Sequence, residues 1–460
     1  MTLFELLGSA QHELRPQLDR TIWPLSTSID ELGRICVGGV AATDIAAEFG
    51  TPAYLLDEQD FRARLRGYRA ALPGVELVYA GKALLSTAVA EWAAAEGAGL
   101  DVWSSGELAT ALAAGVAPSR IILHGNAKTA AELDGAVDAG VGRIVIDSPN
   151  EIALLAARVR RRQGVLIRVI PAVEARGQRD DGFGFTVADG LATGAVKRAL
   201  DQPSLNLLGL HCHLGSQLTD AQLYGAAIRE LVALMAQVRD HRGVVLGELN
   251  LGGGYGVPYV SGDPDFSPYT LAAVIEAALA SACADYSYPR PRIVIEPGRA
   301  IAARAGITLY REIAVKHQPE GRTFVVVDGQ MADNPHEGLR GMKHTVALAN
   351  WHEQTSTTPV TIVGRHCEAG EEIARDIELP DDVHPGDLLA VACTGAYHYS
   401  MGAACNLVGR PPLIAVTNGR PRALVRRETL ADLLVRDCDW SHPPHRSGSV
   451  TMDIDDAKGE

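Results

Sequence analysis

The amino-acid sequence predicts the α/β fold class: a (β/α)8 barrel followed by a second, β-rich domain. Three observations predict it. From about residue 50 to residue 305, short apolar runs rich in Val and Ile alternate with Ala- and Leu-rich amphipathic stretches. Eight such units follow one another over roughly 250 residues, the size of a closed eight-stranded barrel. Beyond residue 305 the long helical stretches stop, and strands joined by Gly, Pro and Asp turns take over.

The elements follow in order along the chain. Residues 1–45 are an N-terminal segment without a place in the barrel. Met1 to Arg20 is charged throughout and has no long apolar run, so no signal peptide is read there. The Thr21–Val40 stretch is expected to lend a strand to the later domain. The barrel spans 46–305, with strands expected at Leu77–Lys82, Gly99–Ser104, Arg120–Gly125, Arg143–Ser148, Gly164–Ile170, Leu205–Ser216, Leu246–Gly254 and Arg292–Arg299. Apolar strands separated by helical stretches such as Ser86–Glu96 and Leu223–Arg239 imply a parallel sheet covered on its outer face. The β domain spans 306–437, with strands expected at Ile307–Val315, Thr323–Val327, Pro359–Val363, Asp387–Ala392 and Pro412–Val416. The tail, 438–460, holds Pro443, Pro444, Ser447 and Gly448 ahead of late acidic residues, a composition that predicts disorder.

Totals narrow the function classes. A chain of 460 residues, 47% apolar and 21% charged, is long enough for two domains with real cores. Aromatics at 5% and a net charge of −14 argue against a nucleic-acid stacking platform or a general phosphate-backbone binder. A small anionic ligand remains compatible, because a few Arg residues and backbone N–H groups can hold a phosphate in an acidic protein. The seven cysteines are scattered without a CxxC pair, which fits reduced thiols in a cytoplasmic protein. No apolar run reaches membrane-spanning length.

Polar residues stand at the C-terminal ends of several barrel strands, where barrels gather their functional groups. Lys82 closes Val78-Tyr79-Ala80-Gly81, and Gly252-Gly253-Gly254 closes Leu249-Asn250-Leu251. Glu296-Pro297-Gly298-Arg299 closes Arg292–Ile295, and His211 and His213 flank Cys212. Taken singly, each has an ordinary reading. Lys82 could reach solvent at the rim, the triglycine could be a loop, and Glu296 could pair with Arg299. Two His separated by one residue point to the same face; metal ligation lacks matching further ligands, so core or ring-stacking roles rank higher. Together the four features meet the needs of one cofactor, pyridoxal phosphate. It takes a Lys for a Schiff base, a backbone cradle for its phosphate, a flat group against its ring and a carboxylate at its pyridine nitrogen.

The ordered set of segments resembles the fold-type III pyridoxal-phosphate decarboxylases, most of all their diaminopimelate decarboxylase branch. The segments are Tyr79–Lys82, Gly99–Val102, His124-Gly125-Asn126, Ile146-Asp147-Ser148, His211–Gln217, Asn250–Gly254 and Glu296–Arg299 in the barrel. Val327-Asp328-Gly329, His366–Gly370, Gly395-Ala396-Tyr397 and Gly409-Arg410-Pro411 extend it through the β domain, so that it covers about residues 25–437. The resemblance implies the two-domain architecture of alanine racemases and ornithine decarboxylases. It implies that Lys82 carries the Schiff base, that His213 stacks on the ring and that Glu296 faces the ring nitrogen. Ser216, Gly252, Gly253, Gly254, Gly298 and Arg299 would lie about the phosphate, and Tyr397 would close the site. Cys367 would protonate the carbanion left after carbon dioxide departs, and Glu368 would contact the distal amine of an amino-acid substrate. That Cys-Glu pair would come from a neighbouring subunit, which implies a homodimer with active sites at its interface. Read alone, Cys367 would be a buried inert thiol.

Departures from the branch cluster where the distal end of the substrate is held. The Arg and Tyr usual after the Val-Asp-Gly strand are replaced by His336 and Arg340, and the Ser usual after Cys-Glu is Ala369. Cys405 replaces an aromatic residue before Asn406, and Gly81 replaces the Val usual before the lysine. Two substrate readings therefore stand level. In one, Arg340 supplies the lost carboxylate contact and meso-diaminopimelate is used, for lysine biosynthesis. In the other, the pocket serves a different amino-acid-derived substrate in specialised metabolism. An amino-acid racemase is the rival enzyme reading. Glu296 weighs against it, since alanine racemases place an Arg at that position. A non-catalytic cofactor carrier would be a barrel alone, without Cys367 and Tyr397.

Overall fold

A computed structural model describes residues 18–173, 182–319, 321–335, 343–350, 356–367 and 370–438. The chain opens with β1 (Ser28–Ile29), β2 (Ile35–Val37) and β3 (Val40–Ala41), which pair with one another as a small antiparallel sheet. The Thr21–Val40 stretch thus pairs locally instead of lending a strand to the later domain. The reason is its turns: Gly38 and Gly39 both have positive φ and reverse the chain tightly between β2 and β3. The sheet touches the later domain through the Ile35 N–H on the Ala349 carbonyl, 3.0 Å, and the Gly419 N–H on the Gly38 carbonyl, 2.8 Å.

β4 (Ala53–Asp57) follows and lies in the sheet of the β domain, although it precedes every barrel strand. The barrel comprises β5 (Glu76–Ala80), β6 (Gly99–Val102), β7 (Ile121–Leu123), β8 (Arg143–Ile146), β9 (Gln163–Ile170), β11 (Leu205–His211), β12 (Glu248–Asn250) and β13 (Arg292–Ile295). All its pairings are parallel, and β13 bonds back to β5 to close the ring. The two-residue β10 (Phe185–Thr186) adds to the edge of β9. Several predicted strands end earlier than the sequence pattern suggested, so Lys82, His213, the triglycine and Glu296 lie just beyond the last strand residue.

Period-two alternation explains how the barrel interior is layered. Val78, Ile122, Val145, Leu166 and Val294 form one apolar cluster. Two residues behind them, at the N-terminal mouth, Arg143 pairs with Glu76 at 2.7 Å and Glu248 at 3.1 Å, and Arg292 pairs with both acids. Two residues ahead of them come His124, Asp147, Arg168 and Glu296, on the same side of their strands. The apolar layer thus separates an ionic plug at one mouth from the polar groups at the other.

The second sheet runs β18-β17-β15-β14-β4-β20-β21, where β14 is Gly306–His317, β15 Thr323–Val327, β16 Val346–Leu348, β17 Thr357–Val363, β18 Glu372–Pro380, β19 Leu388–Ala392, β20 Leu413–Thr417 and β21 Arg420–Val425. β19 pairs with β14 and β16. Tyr310, Val325, Val327, Ile362, Ile373 and Leu389 form a core of this domain alone. The tail from residue 439 onward lies outside the described residues. No helix among the described residues is long and apolar enough to cross a membrane.

Candidate active site

The C-terminal mouth of the barrel holds a cavity with two connected ends. Lys82, Asp101, His213 and Glu296 line both. One end adds Trp103, His124, Asn126, Arg168 and Phe183; the other adds Ser216, Gly253, Gly254, Gly298, Arg299 and Tyr397. Lys82 lies in a single 3-10 turn, Gly81–Ala83, that follows β5 and turns its side chain into the cavity. Protein charges ring it there. Burial works against the Lys82 ammonium, but Tyr397, Asp101 and Glu296 outweigh it and hold it above the ordinary lysine value.

Glu296 is the most heavily bonded group. Its Oε1 accepts from Asn250 Nδ2 at 2.7 Å and lies 2.8 Å from His124 Nε2, while its Oε2 lies 3.2 Å from His211 Nε2. Burial raises its carboxyl, but the contacts with His124 and His211 win and hold it well below the carboxylate range. His124 also stands 3.7 Å from Asp101. Burial pulls the His124 imidazolium down, and Asp101 and Glu296 reverse that, so His124 is held above the ordinary histidine value. Burial dominates at the other two groups, bringing His211 down to about 4 and Asp101 up to about 6. The floor is therefore a glutamate held in its ionised form between His124, whose protonated form it favours, and a neutral His211 that donates to it. The ligand-capable atoms of His124, His211 and Glu296 lie within 4.8 Å of one another and are engaged in these mutual bonds.

The opposite end is built to accept an anion. Arg299, buried against the ring of Tyr397 at 4.7 Å, donates to Tyr259 Oη and, at 3.3 Å, to Ser216 Oγ. A Cβ on Gly253 would strike the Glu296 carbonyl, and one on Gly254, whose φ is +101°, would strike the Gly215 carbonyl. Only glycine lets the backbone pass this close. Gly253 donates its N–H to His213 Nδ1 at 3.3 Å, which fixes that ring at the cavity wall. Burial holds His213 neutral, well below the ordinary histidine value. The site thus offers an amine, a clamped carboxylate, a flat neutral ring and a guanidinium beside two side-chain-free residues, the complement of pyridoxal phosphate.

Of the residues expected from sequence, Lys82, His213, Ser216, Gly253, Gly254, Glu296, Gly298, Arg299 and Tyr397 meet at this cavity. Gly252 does not line it. Its N–H already donates to Asn250 Oδ1 at 2.9 Å, and its carbonyl accepts from Glu296 N at 2.8 Å, so its role is to join the triglycine to the glutamate. Cys367 is exposed on the loop between β17 and β18 and does not line the cavity among the described residues of this chain. Neighbouring His366 is tethered by its Nε2 to the Cys405 carbonyl at 3.3 Å. His336, Arg340 and Glu368 lie outside the described residues. Sequence reasoning assigned no role to Asp101, His124, Asn250 or Tyr259. The alternation of inward residues was the signal for the first three: Asp101 and Asn250 stand at inward positions of β6 and β12, and His124 continues the inward row just past β7. Tyr259 lies in a loop and left no such trace.

Comparisons with known proteins agree with this chemistry. A family model described as the pyridoxal binding domain of pyridoxal-dependent decarboxylases matches residues 58–303. The diaminopimelate decarboxylase of Actinosynnema pretiosum subsp. auranticum is 48% identical over 444 residues, 95% of this chain and 100% of that protein. The diaminopimelate decarboxylase of Mycobacterium tuberculosis strain H37Rv is 41% identical over 432 residues, 90% of this chain and 97% of that one. Among solved structures, diaminopimelate decarboxylase from M. jannaschii in complex with L-lysine superposes with a TM-score of 0.84 at 29% identity, covering 90% of this chain and 98% of that chain. The lysine/ornithine decarboxylase from Vibrio vulnificus with putrescine gives 0.71 at 26% identity, over 82% and 99%.

Proposed function

The chain belongs to the pyridoxal-dependent decarboxylases, and on that footing we propose that it removes carbon dioxide from meso-diaminopimelate or a closely related carboxylated amino acid. It is a pyridoxal-phosphate-dependent carboxy-lyase. The observation that carries the reading is the clamped Glu296 facing the same cavity as Lys82, with Arg299 and Ser216 at the far end. When bound, the cofactor supplies a ring that draws electrons from the carbon losing its carboxylate.

In this reading Lys82 presents the amine that anchors the cofactor and yields its place to the substrate. Glu296, kept ionised by its three donors, holds a proton at the ring nitrogen. His213 would supply the flat group against the cofactor ring, and Arg299, Ser216 and the N–H groups about Gly254 would hold its phosphate, with Tyr397 lining the same end of the cavity. Cys367 Sγ supplies the proton that replaces the lost carboxylate. Cys367 is exposed and does not line its own chain's cavity, which supports the reading that it serves the cavity of a second copy in a homodimer with shared sites. The protein is read as cytoplasmic. Arg340 or His336 would take the distal carboxylate, and Glu368 the distal amine, as the resemblance implies. The racemase reading is disfavoured by the ionised Glu296, which suits a fully formed carbanion.

The test is carbon dioxide release from meso-diaminopimelate, lysine, ornithine and larger carboxylated amino acids, compared by kcat/KM. A preference of at least about tenfold for meso-diaminopimelate is expected, since a site that pairs a distal carboxylate rejects analogues lacking it strongly. A preference for lysine or ornithine would remove the distal-carboxylate assignment. Inversion at the α-carbon without gas release would replace the decarboxylase with a racemase.

A further inference from the structure

Lys128 is buried, with a side chain only 1% exposed. An ammonium has three N–H donors and no acceptor. Nζ donates to the Gly125 carbonyl at 2.6 Å and to the Val145 carbonyl at 2.7 Å, and it forms an ion pair with Glu151 Oε1 at 2.5 Å. Glu151, in the first turn of the helix Pro149–Ala156, uses its Oε2 to accept the Asp147 N–H at 2.8 Å. A buried cation so closely matched is expensive to place, which invites the question of what it holds.

Its position answers the question. β7 and β8 pair through Ile122–Arg143 and Leu123–Ile144, and there the ladder stops. The Lys128 ammonium bridges the same seam one step further up, with Gly125 on the β7 side and Val145 on the β8 side. Gly125 has a φ of +118° and sits between His124 and Asn126, which line the cavity. That turn aims His124 at Glu296, 2.8 Å away, and seats its ring edge-on to His211 with centroids 4.8 Å apart.

We propose that Lys128, held by Glu151, is a positioning residue for the reaction: it sets the His124–Gly125–Asn126 turn and thereby the bond between His124 and Glu296. The proposal rests on the reading that Glu296 acts at the ring nitrogen. Lys128 does not line the cavity and acts through the turn that carries His124.

A double-mutant cycle on the pyridoxal-phosphate-loaded enzyme tests it, with Lys128→Met, His124→Gln and the double variant compared by kcat, by the visible band of the bound cofactor and by thermal melting. The expected result is a kcat at least about tenfold lower in Lys128→Met, a visible band displaced as in His124→Gln, and a double variant within about twofold of His124→Gln alone. If the two losses multiply, or if only the melting temperature falls while kcat and the band stay wild-type, the proposal is overturned. Should Lys128→Met not fold, Glu151→Gln enters the same cycle, because it keeps the cation and removes only its counter-charge. Glu296→Gln separates the two readings: wild-type kcat and band in that variant defeat the assignment of Glu296 itself.

Discussion

Replacing Asn250 with alanine isolates one link between the two ends of the cavity. Asn250 is fully buried; its Nδ2 donates to Glu296 Oε1 at 2.7 Å and its Oδ1 accepts the Gly252 N–H at 2.9 Å. The first bond is charge-assisted and worth about 1.5–3 kcal/mol, the second neutral and worth about 0.5–1.5 kcal/mol. If the first acts through the ionisation of Glu296, its loss lowers kcat by about tenfold to about a hundredfold, at about 1.36 kcal/mol per factor of ten. Loss of the second loosens the triglycine and weakens cofactor binding. Asn250→Asp provides the contrast. It matches the original shape but sets a second acid against Glu296, where two charges about 4 Å apart repel by about 4 kcal/mol at an effective dielectric near 20. The aspartate should therefore be the worse variant, despite its closer fit. Steady-state carbon dioxide release and cofactor titration by visible absorbance read both. A kcat within twofold of wild type in correctly folded Asn250→Ala, or an aspartate variant better than the alanine one, would refute the reasoning.

Lys82→Ala is expected to lose both activity and the visible absorbance of the bound cofactor; normal turnover in that variant would sink the anchor assignment. Gly254→Ala forces a side chain onto a φ of +101° and against the Gly215 carbonyl, so cofactor affinity should drop by at least about tenfold, read by equilibrium titration; unchanged affinity would remove the glycine from the phosphate cradle. Cys367→Ala should keep the cofactor and lose turnover, whereas failure to bind cofactor would move Cys367 to a structural role. His344, buried edge-on to Tyr259 with centroids 5.2 Å apart, is pushed by burial down to about 4, against a backbone contact at Ala392. Between that value and about 6.5 the unfolded chain takes up a proton that the folded one refuses, so wild-type stability is lost as pH drops through this window, by about 2 kcal/mol at pH 5. His344→Phe lacks this term, so its melting temperature relative to wild type should rise between pH 7 and pH 5; a pH-independent difference would count against it.

Much of the site was legible in the chain because strands write their geometry into a period of two. A polar residue two places beyond an inward-facing apolar one must also face inward, which is why Glu296 after Val294 and His124 after Ile122 stand over the apolar layer. Lys82 and the triglycine were legible because a lysine or three glycines at a strand's end need an explanation that composition does not supply. The partners of the Thr21–Val40 strands were not legible, because the pattern shows strands but not what they pair with; the Gly38-Gly39 turn makes them pair with one another, while Ile35 and Gly38 bond to the β domain.

The sequence by itself determined the eight βα units, the β-rich second domain and the kinds of chemical group set at the barrel mouth. All of these depend on residue type and on spacing along one strand. Only the tertiary structure decided which groups meet. Glu296, His124, His211 and Asn250 come from four different strand ends, and closure of β13 onto β5 brings them within bonding distance. The recruitment of β4 into the second sheet and the bridging of the β7–β8 seam by Lys128 are of the same kind. Long-range register sets them, and no local pattern records it.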